Sequence, residues 1–366
     1  MRLLYIVSSC IFFATTITTY AQNESTAKWS NSLFESNDVL HIKLTGNLRD
    51  LMNDRGEKPK VHPITMSYTT ENNSEFSFPV QAKTRGHFRK ALGGCTYPPI
   101  LLQFSESDTH ASLFEKQHKL KLVMPCRGDE YVVHEWMIYR IYNLITPESF
   151  RARLVSVELN DTKKNKTVAP FYGFLLEEDH QVAERNHEVV IKRQVTPQQV
   201  EPDEFLKMAV FEYLIGNTDW SVEYQNVRLM GPDSNSVPVS VPYDFDFSGL
   251  VNAPYSAPAQ ELRMSSVRER RYRGYCVQDM KMFDDVIAFY NKIKPDIYKL
   301  YTDCTLLDAK YVKETLAYFD QFYKTINDPA AVKKEFGYPC DKNGTGNVVI
   351  RGLKGNPLPQ DDDSDQ

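Results

Sequence analysis

Four side chains between Gly216 and Gly249 have the types and spacing of a phosphoryl-transfer site. Asp219 stands in Gly216-Asn217-Thr218-Asp219-Trp220, just past a helical stretch; Asn226 follows it, and Asp244-Phe245-Asp246 comes after a short apolar run. In phosphoryl transfer one carboxylate orients a hydroxyl nucleophile, while an amide oxygen and a further carboxylate hold Mg²⁺ against the phosphates. Asp219 suits the first role, because a loop after a helix end can present a carboxylate to a cleft. Asp is disfavoured in strands, yet two occur inside Pro242-Tyr243-Asp244-Phe245-Asp246-Phe247. If that segment is extended, the two acids share one face and the three aromatic rings the other. Such close like charges repel unless a cation lies between them, and hard carboxylate oxygens suit Mg²⁺, Mn²⁺ or Ca²⁺. The ordinary alternatives are a turn-capping Asp219 and a solvent-facing acidic edge at Asp244 and Asp246.

A phosphate site also needs cations. Lys119-Leu120-Lys121-Leu122-Val123 alternates, so both lysines share a strand face. A strand lysine paired with a helix glutamate holds the phosphates in kinases. Lys121 with Glu135, in the helical stretch 131–144, is the first assignment, with Lys119 in reserve. Thr84-Arg85-Gly86-His87 is a candidate phosphate-contacting turn. No GxGxxG loop or Walker box is present. Five arginines between Arg263 and Arg273 form a candidate segment for an acidic substrate or a phosphate, or else a solvated, salt-bridged helix start.

The elements that must position these residues fall into two halves. Period-two alternation predicts strands at 39–44, 64–68, 76–80, 100–104, 118–123, 154–159 and 169–176. Helical spacing predicts a helix over 131–144. Beyond it, Asp203 should cap a helix that ends at Gly216, and short strands are expected at 227–230 and 237–243. Two amphipathic helices should follow at 277–301, interrupted at Pro295, and at 306–326. The expected fold class is α+β with two lobes: a strand-rich lobe over 22–178 holding one helix, and a helical lobe over 179–346 carrying the chemical motifs. Residues 347–366 lack periodicity and read as a disordered acidic tail.

The first 21 residues read as a secretory signal peptide, with Arg2, an apolar run and small residues before a cut near Ala21. Export permits disulfides, and Cys95–Cys126 and a pair among Cys276, Cys304 and Cys340 are candidates, with one thiol left over. No later segment approaches the apolar length of a membrane span. Net charge is −5, but Asp361, Asp362, Asp363 and Asp365 account for most of it. The nearly neutral remainder gives no case for nucleic acid as a partner. A glycosidase is disfavoured because Asp244 and Asp246 are too close in sequence to straddle a sugar.

Taken together, the motifs resemble the spore-coat CotH kinase-like family and, more distantly, the HipA and protein-kinase-like fold. Arg85-Gly86 looks like the start of that family's RGNS-type segment. The helix over 131–144 followed by Arg151–Asn160, and Phe171-Tyr-Gly-Phe-Leu-Leu-Glu177-Glu178, resemble its later stretches. Gly216–Trp220 looks like its catalytic loop, and Tyr243–Asp246 like its metal motif. The resemblance implies a two-lobed kinase-like fold that uses ATP and Mg²⁺ (or Mn²⁺) to phosphorylate a hydroxyl of a protein or small molecule. It implies Asp219 as the catalytic base, Asn226, Asp244 and Asp246 as metal ligands, and Lys121 with Glu135 as the phosphate-positioning pair. Lys121, Lys119, Arg85, Glu177 and Glu178 would lie around the nucleotide. The alternative is a non-catalytic, pseudokinase-type binding or scaffold protein of the cell envelope.

Overall fold

Alternating apolar residues build the first half of the chain. In the computed structural model, which describes residues 32–70, 74–223, 225–277 and 279–337, these residues form β1 (Leu40–Gly46), β2 (His62–Thr69), β3 (Glu75–Thr84), β4 (Ile100–Gln103), β5 (Lys119–Val123), β6 (Ala152–Asp161) and β7 (Lys166–Leu176). All the predicted strands of this half are present. They close into a barrel in the order β1-β2-β3-β4-β5-β7-β6. Closure comes from a parallel pairing of β1 with β6, Leu40 opposite Val155, whereas the other neighbours run antiparallel. Period two places Leu44, Met66, Leu102, Leu120, Leu122 and Val157 inside the barrel, where they are buried.

A second apolar cluster joins the helix Asp129–Ile145 to the C-terminal half. That helix carries Trp136, Met137, Ile138 and Ile141 into the cluster. The helix Pro202–Ile215 starts with Pro202 in its first turn, not with Asp203 as its cap. Proline suits that position because its missing N–H has no helical partner to lose. Gly216 ends the helix with φ +70°, a left-handed conformation that glycine adopts without a Cβ penalty. The C-terminal half is helical but also holds a three-stranded sheet, β8 (Val189–Ile191), β9 (Val227–Gly231) and β10 (Val239–Pro242), in the order β10-β9-β8.

One helix expectation needs correction, and one helix was not foreseen. The helix expected from residue 277 begins at Met282 and runs to Thr302 through Pro295. Burial of Ile293, Ile297 and Tyr301 offsets the hydrogen bond that Pro295 removes. A helix at Pro329–Phe336 escaped the periodicity reading. Its signal was Asp328-Pro329, since the Asp328 side chain accepts the backbone N–H groups of Ala330 and Ala331.

Cys95 and Cys126 form a disulfide, Cys276 is also disulfide-bonded, and Cys304 is a free thiol. Among the described residues no helix is long and apolar enough to cross a membrane. The signal peptide expected at 1–21 and the acidic tail expected at 347–366 lie outside the described residues.

Candidate functional site

The loop after Gly216 is held from several sides. The backbone N–H of Asn217 donates to Glu212 O (2.8 Å), and the Asn217 side-chain oxygen accepts the N–H of Asp219 (3.0 Å). Ser221 and Gln225 exchange backbone hydrogen bonds, which brings Asn226 back beside Asp219. Asn226 Nδ2 donates to the backbone oxygen of Asp219 at 2.6 Å and to its Oδ2 at 3.3 Å. The Gln225 side-chain amide donates to Asp219 Oδ1. Burial, and then the charge of Asp244, raises the Asp219 carboxyl to about 6, against the opposing pull of Arg273 and the two amides.

Asp244 and Asp246 adjoin this loop through the backbone: the N–H of Tyr243 donates to Asn226 O at 3.0 Å. They do not lie on an extended strand. β10 ends at Pro242, and Asp244 is left-handed with φ +64°. The Asp244 N–H donates to the Tyr139 hydroxyl at 3.0 Å. The turn leaves Asp244 exposed and buries Asp246 and Phe245, so the acids do not share a strand face. They remain electrostatically coupled. Burial first, then Asp244, raises the Asp246 carboxyl, while Arg89 opposes the shift. Asp246 Oδ2 also accepts the Tyr255 hydroxyl at 3.0 Å.

Glu135 reaches the same place from the helix Asp129–Ile145. It is 3% exposed and accepts the backbone N–H of Phe245. Burial, Asp246 and Asp244 raise its carboxyl well above the ordinary range, and Arg89 acts the other way. The expected ion pair of Glu135 with Lys121 is not formed. Lys121 Nζ lies over the Tyr243 ring, 5.2 Å from its centroid, and Arg228 lies against the same ring at 4.8 Å. Lys119 pairs in register with Gln103, roughly 7 Å further along the strand.

The cation among the acids is Arg89, which the sequence reading missed. It belongs to the short helix Phe88–Ala91, four residues past Arg85. Arg89 is buried, donates to Met124 O, and sits 4.0 Å from Asp246 Oδ2. Burial alone would depress its pKa, but Tyr255, Asp246, Glu135 and Asp244 outweigh that and hold it above the usual value. Phe88 packs on Phe247 (5.0 Å) and Tyr255 (6.1 Å), so the turn and the acidic loop are clasped together. The only signal in the sequence was Arg89's place next to the Arg85-Gly86 turn. Arg85 itself donates its backbone N–H to Pro99 O and is half-buried.

Other assignments move away from the site. The Glu177 carboxylate is occupied by Arg185 (3.1 Å) and by the backbone N–H of Arg151 (3.0 Å). Glu178 pairs with His180 at 2.9 Å. Three of the five clustered arginines hold main-chain carbonyls. Arg268 donates to Gly249 O, Arg270 to Leu214 O and Tyr318 O, and Arg273 to Thr218 O and Trp220 O. Leu214 is in the last turn of its helix, where carbonyls lack helical partners. These arginines fasten the Asp219 loop, and Arg263 and Arg271 are exposed.

Asp219, Asp244, Asp246 and Glu135 thus converge from three separate segments, with Asn226, Arg89 and Arg273 beside them. Among the described residues no three His, Cys, Asp or Glu side chains form a self-contained metal cage. Mg²⁺ in nucleotide sites does not need one, since it takes one or two carboxylates and completes its shell with water and phosphate. The hard oxygens of Asp244, Asp246 and Asn226 fit such a role. No protein-family model matches the chain, and no curated protein matches it.

Proposed function

We propose that this chain is an exported kinase-like phosphotransferase of the CotH-like type, taking phosphate from ATP with Mg²⁺ or Mn²⁺ to a protein or small-molecule hydroxyl. The observation that carries this reading is the convergence of Asp219, Asn226, Asp244, Asp246 and Glu135, in which burial and neighbouring acids push up the carboxyls of Asp219, Asp246 and Glu135. A divalent cation relieves that repulsion and, when bound, supplies charge neutralisation at the phosphates.

Asp219 aligns the acceptor hydroxyl and takes its proton as the new O–P bond forms, while the bond from the terminal phosphorus to its bridging oxygen breaks and ADP leaves. A carboxyl raised to about 6 suits a base at neutral pH. Asn226 directs its amide nitrogen to Asp219, which leaves its side-chain oxygen for the metal. Arg89 takes the phosphate-neutralising place expected of Lys121, and Glu135 holds Arg89 and the Phe245 N–H in position. The disulfide supports export.

One observation favours the second reading, a non-catalytic scaffold or binding protein of the envelope: Glu135 is engaged by Arg89 and Phe245 and, among the described residues, pairs with no lysine. Melting of the full chain with ATP and Mn²⁺, together and singly, tests nucleotide use. A ligand that binds only the folded state at about a hundredfold its Kd adds roughly 2.7 kcal/mol. The proposal expects a rise that needs both additions and is lost in Asp244→Ala. An equal rise in Asp244→Ala, or none in the native chain, contradicts it.

A further inference from the structure

Away from the acidic site, a cavity of about 540 Å³ lies between the segment Phe34–Asn37, the last turns of the helix Asp129–Ile145 and the turn that leads to Arg151. Its size is that of a small-molecule pocket. Arg140 and Arg151 line it, and both are half-buried. Among the described residues neither guanidinium has a carboxylate within 4.0 Å, and Arg140 rests instead on the Trp136 ring, 4.9 Å from its centroid. Arg185, also in the wall, is neutralised by Glu177. Glu35 lines the cavity as well, and it and Glu177 oppose the effect of burial on Arg151, each by less than burial itself. Burial depresses both Arg140 and Arg151, and the neighbouring Arg185 adds to the shift at Arg151. Among the described residues, then, two half-buried guanidinium groups line the cavity with no carboxylate within 4.0 Å, an arrangement that attracts an anion. Phe34, which is buried, and Leu144, exposed at 38% and one helical turn from Arg140, add apolar surface to the lining.

We propose that this cavity binds a small organic oxyanion, its phosphate or carboxylate head held by Arg140 and Arg151 and its apolar body against Phe34 and Leu144. Guanidinium forks favour planar oxyanions through charge-assisted hydrogen bonds. The proposal stands apart from the phosphotransfer reading and survives its failure, because no residue is shared between the two sites.

Titration calorimetry of the full chain at low ionic strength, with inorganic phosphate, phenyl phosphate and benzoate, tests it. Phenyl phosphate or benzoate should bind more tightly than inorganic phosphate, because only they carry a ring to set against Leu144 and Phe34. Whichever of the two binds better assigns the head group. Arg151→Gln should weaken binding roughly tenfold, as loss of one charge-assisted contact does. Leu144→Glu, at an exposed position that does not disturb the core, should weaken it similarly by repelling the anion. The proposal is overturned if none of the three probes binds, if inorganic phosphate binds as well as both organic anions, or if both variants keep full affinity.

Discussion

Arg89 and Asp246 face each other across 4.0 Å, both buried, one from the turn after β3 and the other from the loop after β10. The Tyr255 hydroxyl donates to the same carboxylate oxygen, and Glu135 adds a further acid. This contact joins the barrel to the acidic loop, and the site's charge balance rests on it.

Arg89→Met should therefore destabilise the fold by about 3 kcal/mol, the cost of leaving buried acid without its cation. Chemical denaturation of the metal-free chain measures this. Added Mg²⁺ should restore more stability to the variant than to the native chain, since the acids then lack their internal counter-charge. A metal effect equal in both would show that Arg89 does not neutralise the cluster.

Asp244→Gly separates fold from function. Asp244 is exposed and left-handed, with φ +64°, a conformation that costs a non-glycine residue about 1 kcal/mol. Glycine removes that cost and one of the repelling charges. Metal-free stability should rise by about 1 kcal/mol in denaturant titration, while stabilisation by Mn²⁺ and ATP disappears.

Gly216 and Tyr318 should be coupled. A Cβ at Gly216 would overlap the Tyr318 hydroxyl, and the residue is left-handed. That hydroxyl is buried and has no hydrogen-bond partner among the described residues. Gly216→Ala should cost roughly 2 kcal/mol and shift the Asp219 loop. Tyr318→Phe should recover part of the loss, and a double-mutant cycle read by thermal unfolding gives the coupling.

Acid stability should depend on His134. Its ring stacks on Tyr311 at 3.4 Å, lies near Tyr131, and has Nδ1 3.4 Å from Val251 O. Burial lowers it to about 4 from an ordinary 6.5, so the folded state holds the neutral ring. The unfolded chain binds the extra proton first as pH falls. The stabilisation is complete above pH 6.5 and is lost down to about pH 4, up to about 3 kcal/mol in all. His134→Phe should flatten this part of a stability–pH curve. An unchanged slope would contradict the buried neutral ring.

The barrel strands were legible because alternation of Leu40, Ile42 and Leu44, or of Leu120 and Leu122, survives as burial. Barrel closure was not, because β1 pairs with β6 across more than a hundred residues and nothing local encodes that contact. Asp219, Asn226, Asp244 and Asp246 were found as a group because acids beside aromatic rings stand out. Their geometry was not, since a left-handed Asp244 breaks the strand that alternation implied. Lys121 was singled out and Arg89 missed because a strand lysine is visible in a pattern, whereas an arginine in a one-turn helix becomes a site residue only through tertiary packing. The clustered arginines looked like a substrate segment for the same reason. Composition shows their charge, and only the fold shows that main-chain carbonyls at Leu214, Thr218 and Gly249 absorb it.

Phosphate transfer itself tests the central claim most directly. The full chain, given ATP labelled on its terminal phosphate and Mg²⁺ or Mn²⁺, should label itself or an added hydroxyl acceptor. Labelling should need the metal, and Asp219→Asn should lower it by a factor of roughly 10² to 10⁴, the range for loss of a general base. Asp244→Ala should abolish it. Labelling that persists undiminished in both variants, or no transfer by the native chain although it binds ATP with metal, would contradict the account.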